Sequence, residues 1–555
     1  MTDQWSERRL ASISAPIGSE RKTTTTTKFA DIRATYRNDG WAVLLLLLIA
    51  FTITAYLWVY DMWMGRVDLL QQMIPYYGFL GEQLRDFNIP GWNPHQLSGL
   101  PFAGDPLSGW TQWPVMVSFT IFSPATAMKV FVSFNLIYAA LTTYIYARVL
   151  GLAIPSSVAA AVMYAGGSIF VSFNSYCCNI MGSYAAWVPT ALLGIELAAR
   201  CRRPLGRIAG ALVSGIGLSQ MLAAWTGQGT YYAVLLVGTY GLYRLLISPP
   251  NGGEIRDRLL SAIRFGSYIT VSGFGLAVAG LLPRIDISRI TDLSGGDYDE
   301  LVGESRIRGW QLYQALFNLL DSEFVSRRVY IGTAIVVLAL IAPFLARRRF
   351  AVPYFYVVGF FSLNLIIVNS WFSKPFYLIP GFESLHTHST YRILGAVLIA
   401  PVMLAAATID QLVRGRFGPR ASLAVPLPGI VYVVLVRPYL GVHNFWLPFQ
   451  VWFVLLVTTA LIGAVIAVRI GATFEFGRRF HLECLNRWVL VAAPWVFVAL
   501  LLADSTGKDI IDALRGTSNA ETYRSYLRNQ DVYDQRENLY TQCTDPGGGR
   551  VSRIS

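Results

Sequence analysis

Trp41-Ala-Val-Leu-Leu-Leu-Leu-Leu-Ile-Ala-Phe-Thr-Ile-Thr-Ala-Tyr-Leu-Trp-Val-Tyr60 is an uncharged apolar run. It has the length an α-helix needs to cross a hydrocarbon layer ~30 Å thick. The residues before it are polar, with Arg8, Arg9, Arg21, Lys22, a threonine run, Lys28, Arg33 and Arg37. They lack the short apolar core of a cleavable signal, so residues 1–40 read as a disordered basic tail that stays in the cytoplasm. After it comes a loop over 61–127, far longer than a connector between two membrane helices requires. The loop holds Asp61-Met-Trp-Met-Gly-Arg-Val-Asp68 and then Pro90-Gly-Trp-Asn-Pro-His95-Gln-Leu-Ser-Gly-Leu-Pro-Phe-Ala-Gly-Asp105. Carboxylates and aromatics gathered beside a bilayer make it the first place to look for a working site.

Of the 555 residues 54% are hydrophobic and 14% charged, and the mean hydropathy is +0.45. Such a chain is a polytopic membrane protein of the all-α class. Apolar segments near 41–60, 128–147, 153–172, 183–199, 208–223, 230–248, 265–283, 329–346, 351–369, 391–409, 422–440, 446–468 and 488–503 predict about thirteen transmembrane helices. With the N-terminus inside, the cytoplasmic connections collect Arg148, Arg200, Arg202, Arg203, Arg207, Arg256, Arg258, Arg264, Arg347–Arg349, Arg414, Arg416 and Arg469. That distribution obeys the positive-inside rule, and it explains a net charge of +12 without nucleic acid.

Residues 112–124 are apolar but short and bounded by Pro114 and Pro124, so they read as an interfacial or re-entrant helix. A span there would put every later arginine cluster outside. The first loop, the loop 284–328, the stretch 370–392 and the tail 504–555 are therefore extracytoplasmic. The localisation expected is a multi-pass protein with its C-terminus outside.

Within the first loop, the spacing over 67–87 predicts an amphipathic helix lying flat on the outer leaflet. Leu69, Met73, Tyr76, Tyr77, Leu80 and Leu84 share its apolar face. Asp68 falls in its first turn, where the helix dipole favours an ionised carboxylate, and Gln72 lies one turn on. Cys201 and Cys484 fall on the inner side, Cys177, Cys178 and Cys543 on the outer side, where an oxidising compartment allows one pair. Glycines inside spans, among them Gly215, Gly217, Gly273 and Gly275, suit close helix approach. No Walker or dinucleotide glycine loop occurs.

The ordered combination Asp68…Gln72…Pro75, Gly91-Trp-Asn-Pro94…Gly99-Leu-Pro-Phe102, Leu281-Leu-Pro-Arg-Ile-Asp-Ile-Ser288-Arg289, and Leu378-Ile-Pro-Gly-Phe382…Arg392 resembles the YfhO-like bacterial membrane proteins of the GT-C glycosyltransferase superfamily. The likeness spans residues 41 to about 410. It implies a GT-C-like transmembrane core, with further helices over 411–503, in a bacterial cytoplasmic membrane. It also implies transfer of a sugar from a polyprenyl-phosphate donor to an extracytoplasmic glycan or lipid acceptor. An acid of the first outer loop generally acts in that superfamily as the base or as a group that orients acceptor and metal, a position that Asp68 matches, with Asp61 and Asp105 behind it. Such a transfer needs a carboxylate to take the acceptor proton and cations to steady the leaving phosphate. Arg289 and Arg392 are the arginines inside the resembling motifs, with Arg284 and Arg437 behind them, and each has an ordinary headgroup-facing alternative. Trp92, inside the Trp-Asn-Pro turn, could stack on a sugar or wall the lipid entrance, and Asn93 beside it is a further substrate-binding candidate. His95 and the pair His386 and His388 are further polar candidates, and with Asp68 and Asp105 they are the donors for a divalent ion if one is used. A non-catalytic GT-C-like subunit and a transporter of lipid-linked intermediates remain as alternatives. The transporter predicts charges near the bilayer midplane, and the spans hold almost none.

Overall fold

A computed structural model describes residues 39–55, 58, 69–95, 98–167, 169–171, 179–290, 330–346, 350–367, 370–414, 425–427, 430, 449–471 and 482–505. Among these the chain is helical apart from a two-stranded antiparallel ribbon, β1 (Trp92–Asn93) and β2 (Leu100–Pro101). The helices in chain order are α1 (Asp39–Ala55), α2 (Ile74–Arg85), α3 (Trp113–Ile121), α4 (Pro124–Val149), α5 (Ile154–Ala165) and α6 (Asn179–Arg200). They continue as α7 (Pro204–Ala224), α8 (Gln228–Leu242), α9 (Ile255–Ser288), α10 (Thr333–Leu345), α11 (Val352–Ile366) and α12 (Phe382–His388). The series closes with α13 (Leu394–Val397), α14 (Ile399–Arg414), α15 (Phe449–Gly471) and α16 (Leu482–Ser505). Many start where the sequence supplies proline: α2, α3, α4, α5, α7 and α11 carry it at the first or second position. Proline has no N–H to lose there and its fixed φ suits the first turn.

Among the described residues five helices are long and apolar enough to cross a membrane: α4, α6, α7, α8 with its π-helical extension to Ile247, and α9. A sixth arises if the segments Thr390–Val397 and Ile399–Arg414, bent by 44°, form one span. Shorter apolar helices overlap the expected segments near 41–60, 153–172, 329–346, 351–369, 446–468 and 488–503. The expected span 422–440 lies almost wholly outside the described residues. Helix α3 has nine residues, about 14 Å by rise, and so stays the short helix its prolines predict.

Helices α6 and α7 approach closely through small residues. A Cβ at Gly194 would fall 2.2 Å from the Ser214 nitrogen, so only glycine permits that contact. Gly217 and Gly273 are equally crowded, whereas Gly275 faces open space and has no packing role.

Polar contacts join helix ends in two separate sets. At one end Glu196 of α6, fully buried, accepts hydrogen bonds from Arg244, from Arg200 (2.6 Å) and from the Tyr240 hydroxyl (2.7 Å). Asp410 of α14 receives the Ala153 amide ahead of α5 at 2.7 Å and pairs with Arg414 at 3.2 Å. At the other end lie the first-loop residues 104–113, the α7–α8 turn, the last turns of α9, and α12. Charges within the spans are thus more numerous than composition suggests, but they sit within a turn or two of helix ends.

The helix expected over 67–87 differs in two ways. Its first turn is π-helical over Leu69–Met73, and the α-helix begins at Ile74. It does not lie flat: Ile74 and the run 76–81 are buried on every side, because α3 covers it. A Cβ at Gly81 would lie 2.1 Å from the Phe119 carbonyl oxygen of α3, and the Arg85 guanidinium donates to that oxygen at 3.2 Å. A leaflet-facing helix would expose about half of its circumference. Here, among the described side chains, only Glu82 and the C-terminal residues Arg85, Asp86 and Phe87 are exposed.

Candidate functional site

The buried face of α9 carries Gly273, Ala277, Gly280 and Arg284 at helical spacing. Arg284 is therefore driven inward, where it is 3% exposed. One terminal nitrogen donates to the Ala223 carbonyl at 3.1 Å and to the Thr226 hydroxyl at 2.8 Å. The other reaches the Trp110 carbonyl at 3.1 Å and the Ser108 hydroxyl at 3.5 Å. Its Nε is buried with no partner among the described residues. One guanidinium thus ties α9 to the α7–α8 turn and to the first loop.

The loop is held from a second side. The Gln220 side chain of α7 donates to the Thr111 carbonyl at 3.2 Å and accepts from the Trp113 amide at 2.9 Å, while the Trp110 indole donates to the Ala279 carbonyl at 3.1 Å. Thr111 sits at φ +69°, a conformation that β-branched residues rarely adopt. These clamps hold it there, and strain of this kind gathers at functional sites.

Asp105 stands just ahead of this clamp. One carboxylate oxygen accepts the Leu107 amide at 2.6 Å, the other the Tyr76 hydroxyl at 3.1 Å. Burial pushes its carboxyl up from the ordinary range, against those two bonds and the charge of Arg284, which pull it down. Burial and the Asp105 charge push the Tyr76 phenol up, so Tyr76 remains the donor. A carboxylate so placed can accept a further proton on its free lone pairs.

Across the α7–α8 turn lies a second cluster. Gly227 at φ +89° makes that turn, the last of the three residues Trp225–Gly227 that join α7 to α8. Gln228 donates to the Tyr232 hydroxyl at 2.8 Å and to the Ser389 carbonyl at 3.1 Å. His386 is 1% exposed, with Nε2 2.9 Å from the Leu365 carbonyl and Nδ1 2.7 Å from the Tyr232 hydroxyl. A carbonyl only accepts, so Nε2 carries the hydrogen and Tyr232 donates to Nδ1. Burial pushes this imidazole down to about 4, and it is neutral at pH 7. Arg392 lies within electrostatic reach of Tyr232, and its Nε too is buried without a partner among the described residues.

The sequence-derived candidates are thus redistributed. Asp61 and Asp68 lie outside the described residues, as does Arg437; Gln72 is half-buried in the π-helical turn. Arg289, the C-cap of α9, is solvent-exposed and pairs with exposed Asp286 at 3.5 Å, whereas Arg284 of the same segment is the buried arginine. Trp92 belongs to the β-ribbon, 58% exposed, its ring covering Gly99 at φ +107°. Asn93 points inward and accepts the His95 amide at 3.0 Å, so it shapes the ribbon's turn instead of facing a ligand. His95 packs edge-on against Phe79, and burial lowers its pKa. Both His386 nitrogens are engaged inside the protein, which removes it as a metal ligand; the His388 side chain is not described. Among the described residues no group of three His, Cys, Asp or Glu could hold a metal ion. Cys201 carries a free thiol, and Cys177, Cys178 and Cys543 lie outside the described residues.

Sequence reasoning passed over Gln220, Thr226, Gln228, Tyr232 and Tyr76. The periodicity of α9 would have promoted Arg284, because sixteen positions separate Gly273 from Arg289 and turn the latter to the opposite face. The chain matches no family model, no curated protein and no solved structure.

Proposed function

We propose that the chain is a GT-C-like membrane glycosyltransferase with about thirteen transmembrane helices. It moves a sugar from a polyprenyl-phosphate donor to a glycan or lipid acceptor on the outer face of a bacterial cytoplasmic membrane. One observation carries the reading. Two of the four resembling segments, Leu281–Arg289 through Arg284 and Leu378–Arg392 through Ser389, flank the Thr226–Gln228 turn; the other two touch each other where Phe102 packs on Tyr76, the residue after Pro75, whose hydroxyl Asp105 accepts within reach of the Arg284 charge. Segments so far apart in sequence have no structural need to share one end of a bundle with two arginines that, among the described residues, have no carboxylate within 4.0 Å. In this reading Arg392 grips the leaving phosphate, Asp68 or Asp105 takes the acceptor proton, and Arg284 fixes the loop that carries the acid. The placing of buried charges near helix ends, away from mid-span, favours this over transport.

The test is transfer of radiolabelled sugar from polyprenyl-phosphate donors in membranes holding the wild type, Asp68→Asn, Asp105→Asn or Arg392→Gln. Loss of transfer by 10²-fold or more in one acid variant and in Arg392→Gln is expected. Equal transfer in every variant, or none from any donor by the wild type, removes the proposal. For orientation, a reporter fused after Ser555 is expected to read extracytoplasmic.

A further inference from the structure

Helix α9 has 34 residues and so runs about 51 Å, roughly 20 Å more than a hydrocarbon layer spans. Its other end is fixed by the buried Arg284, so the excess lies in the turns from Ile255 to Arg264. Those turns expose Ile255, Leu259, Leu260 and Ile263 between Arg256, Arg258 and Arg264. Beside them runs the α6–α7 connection, with Arg200, Arg202, Arg203, exposed Leu205 and Arg207. Over 200–207 and 254–264 the sequence holds seven arginines and two carboxylates.

Two of these arginines form a built feature. The Arg207 guanidinium lies 4.3 Å from the centre of the Phe265 ring, and that of Arg264 lies 5.7 Å from the same centre. They are thus no more than about 10 Å apart. Arg207 is oriented by the Ala198 carbonyl at 3.0 Å and the Ser261 hydroxyl at 3.3 Å, Arg264 by the Tyr268 hydroxyl at 3.4 Å. Among the described residues neither has a carboxylate within 4.0 Å. Two like charges held on one aromatic ring repel each other unless an anion stands between them, and guanidinium forks match phosphate oxygens.

We propose that Arg207 and Arg264 bind the phosphate of an anionic phospholipid, whose acyl chains lie against the exposed aliphatics of Leu205, Leu260 and Ile263. Apolar side chains interleaved with the arginines distinguish a lipid from a free ion, since a soluble anion gains nothing from them. The site lies at the opposite end of the bundle from Arg284 and is independent of sugar transfer.

The test uses the full chain in an uncharged detergent and reads the thermal unfolding midpoint with added phosphatidylglycerol, phosphatidylcholine or inorganic phosphate. Phosphatidylglycerol is expected to raise the wild-type midpoint by about 5 °C, with little change from the other two. The Arg207→Gln/Arg264→Gln variant is expected to lose most of that shift, and Arg289→Gln at the other end to keep it. Should the double variant fail to fold, Arg264→Glu alone, at an exposed position, is expected to show the same loss. An equal shift from phosphatidylcholine or from inorganic phosphate, or a shift that survives Arg264→Glu, overturns the proposal.

Discussion

Arg284 and Arg289 stand five residues apart and have opposite fates. Replacing Arg284 by Met strips donors from the Trp110 and Ala223 carbonyls and the Thr226 hydroxyl, all part-buried or buried. Bonds from a charged donor contribute ~1.5–3 kcal/mol each, and losing several is expected to cost ~3 kcal/mol or more and to lower the unfolding midpoint. Arg289→Met, at an exposed ion pair, is expected to stay within ~0.5 kcal/mol. Differential scanning fluorimetry of the two variants side by side checks the pair, and similar losses would contradict the clamp.

His386 gives a pH prediction of definite sign. Its folded pKa of about 4 lies below the unfolded value of ~6.5. Its contribution is therefore complete above pH ~6.5 and is lost as pH falls toward 4, up to a few kcal/mol. The wild-type midpoint is expected to fall through that window more steeply than that of His386→Gln. Parallel curves would remove His386 as the cause.

At the scale of elements, the contact of α2 with α3 rests on one missing side chain. Gly81→Ala places a carbon where the Phe119 carbonyl already is, so the helices must separate and the Asp105–Tyr76 bond moves with α2. A loss of ~2 kcal/mol or more is expected. Gly238→Ala in α8, with nothing within 4 Å of the new carbon, is expected to be neutral or stabilising by up to ~1 kcal/mol. Urea or heat unfolding of the two proteins decides it.

Much of this level was legible in the sequence. Prolines mark the starts of α3 and α4, and the apolar stretches locate α4 and α6–α9. Two features were not. A ribbon of two residues per strand carries no periodicity to read, and its Trp92 looks like any interfacial tryptophan. The burial of α2 depends on α3 folding over it, and amphipathic spacing alone cannot say whether the covering surface is lipid or protein. Arg284 lay between the two cases: its phase was in the sequence, but its partners Ser108, Trp110 and Thr226 come from segments that only the fold brings together.

For the whole molecule, the bonds between helix ends agree with alternating spans, since each polar set joins only ends that the charge pattern assigns to the same side. Single cysteines at Ser98, in the first loop, and at Leu205, in the first turn of α7, are both at exposed positions. A membrane-impermeant maleimide is expected to label Ser98→Cys in intact cells and Leu205→Cys only after permeabilisation. Labelling of both in intact cells would break the alternation between them.

Asp504, in the last turn of α16, takes the Tyr330 hydroxyl at 2.6 Å and the Ala334 amide at 2.8 Å, so it finishes the N-terminus of α10. Asp410 does the same for the start of α5 from 257 positions away. Ribosomes deliver the chain from its N-terminus, so both early helices enter the bilayer with bare amides and wait for carboxylates that have not been made. The start of α10 is thus completed only by a carboxylate about 170 residues further along the chain, in the last of the described helices.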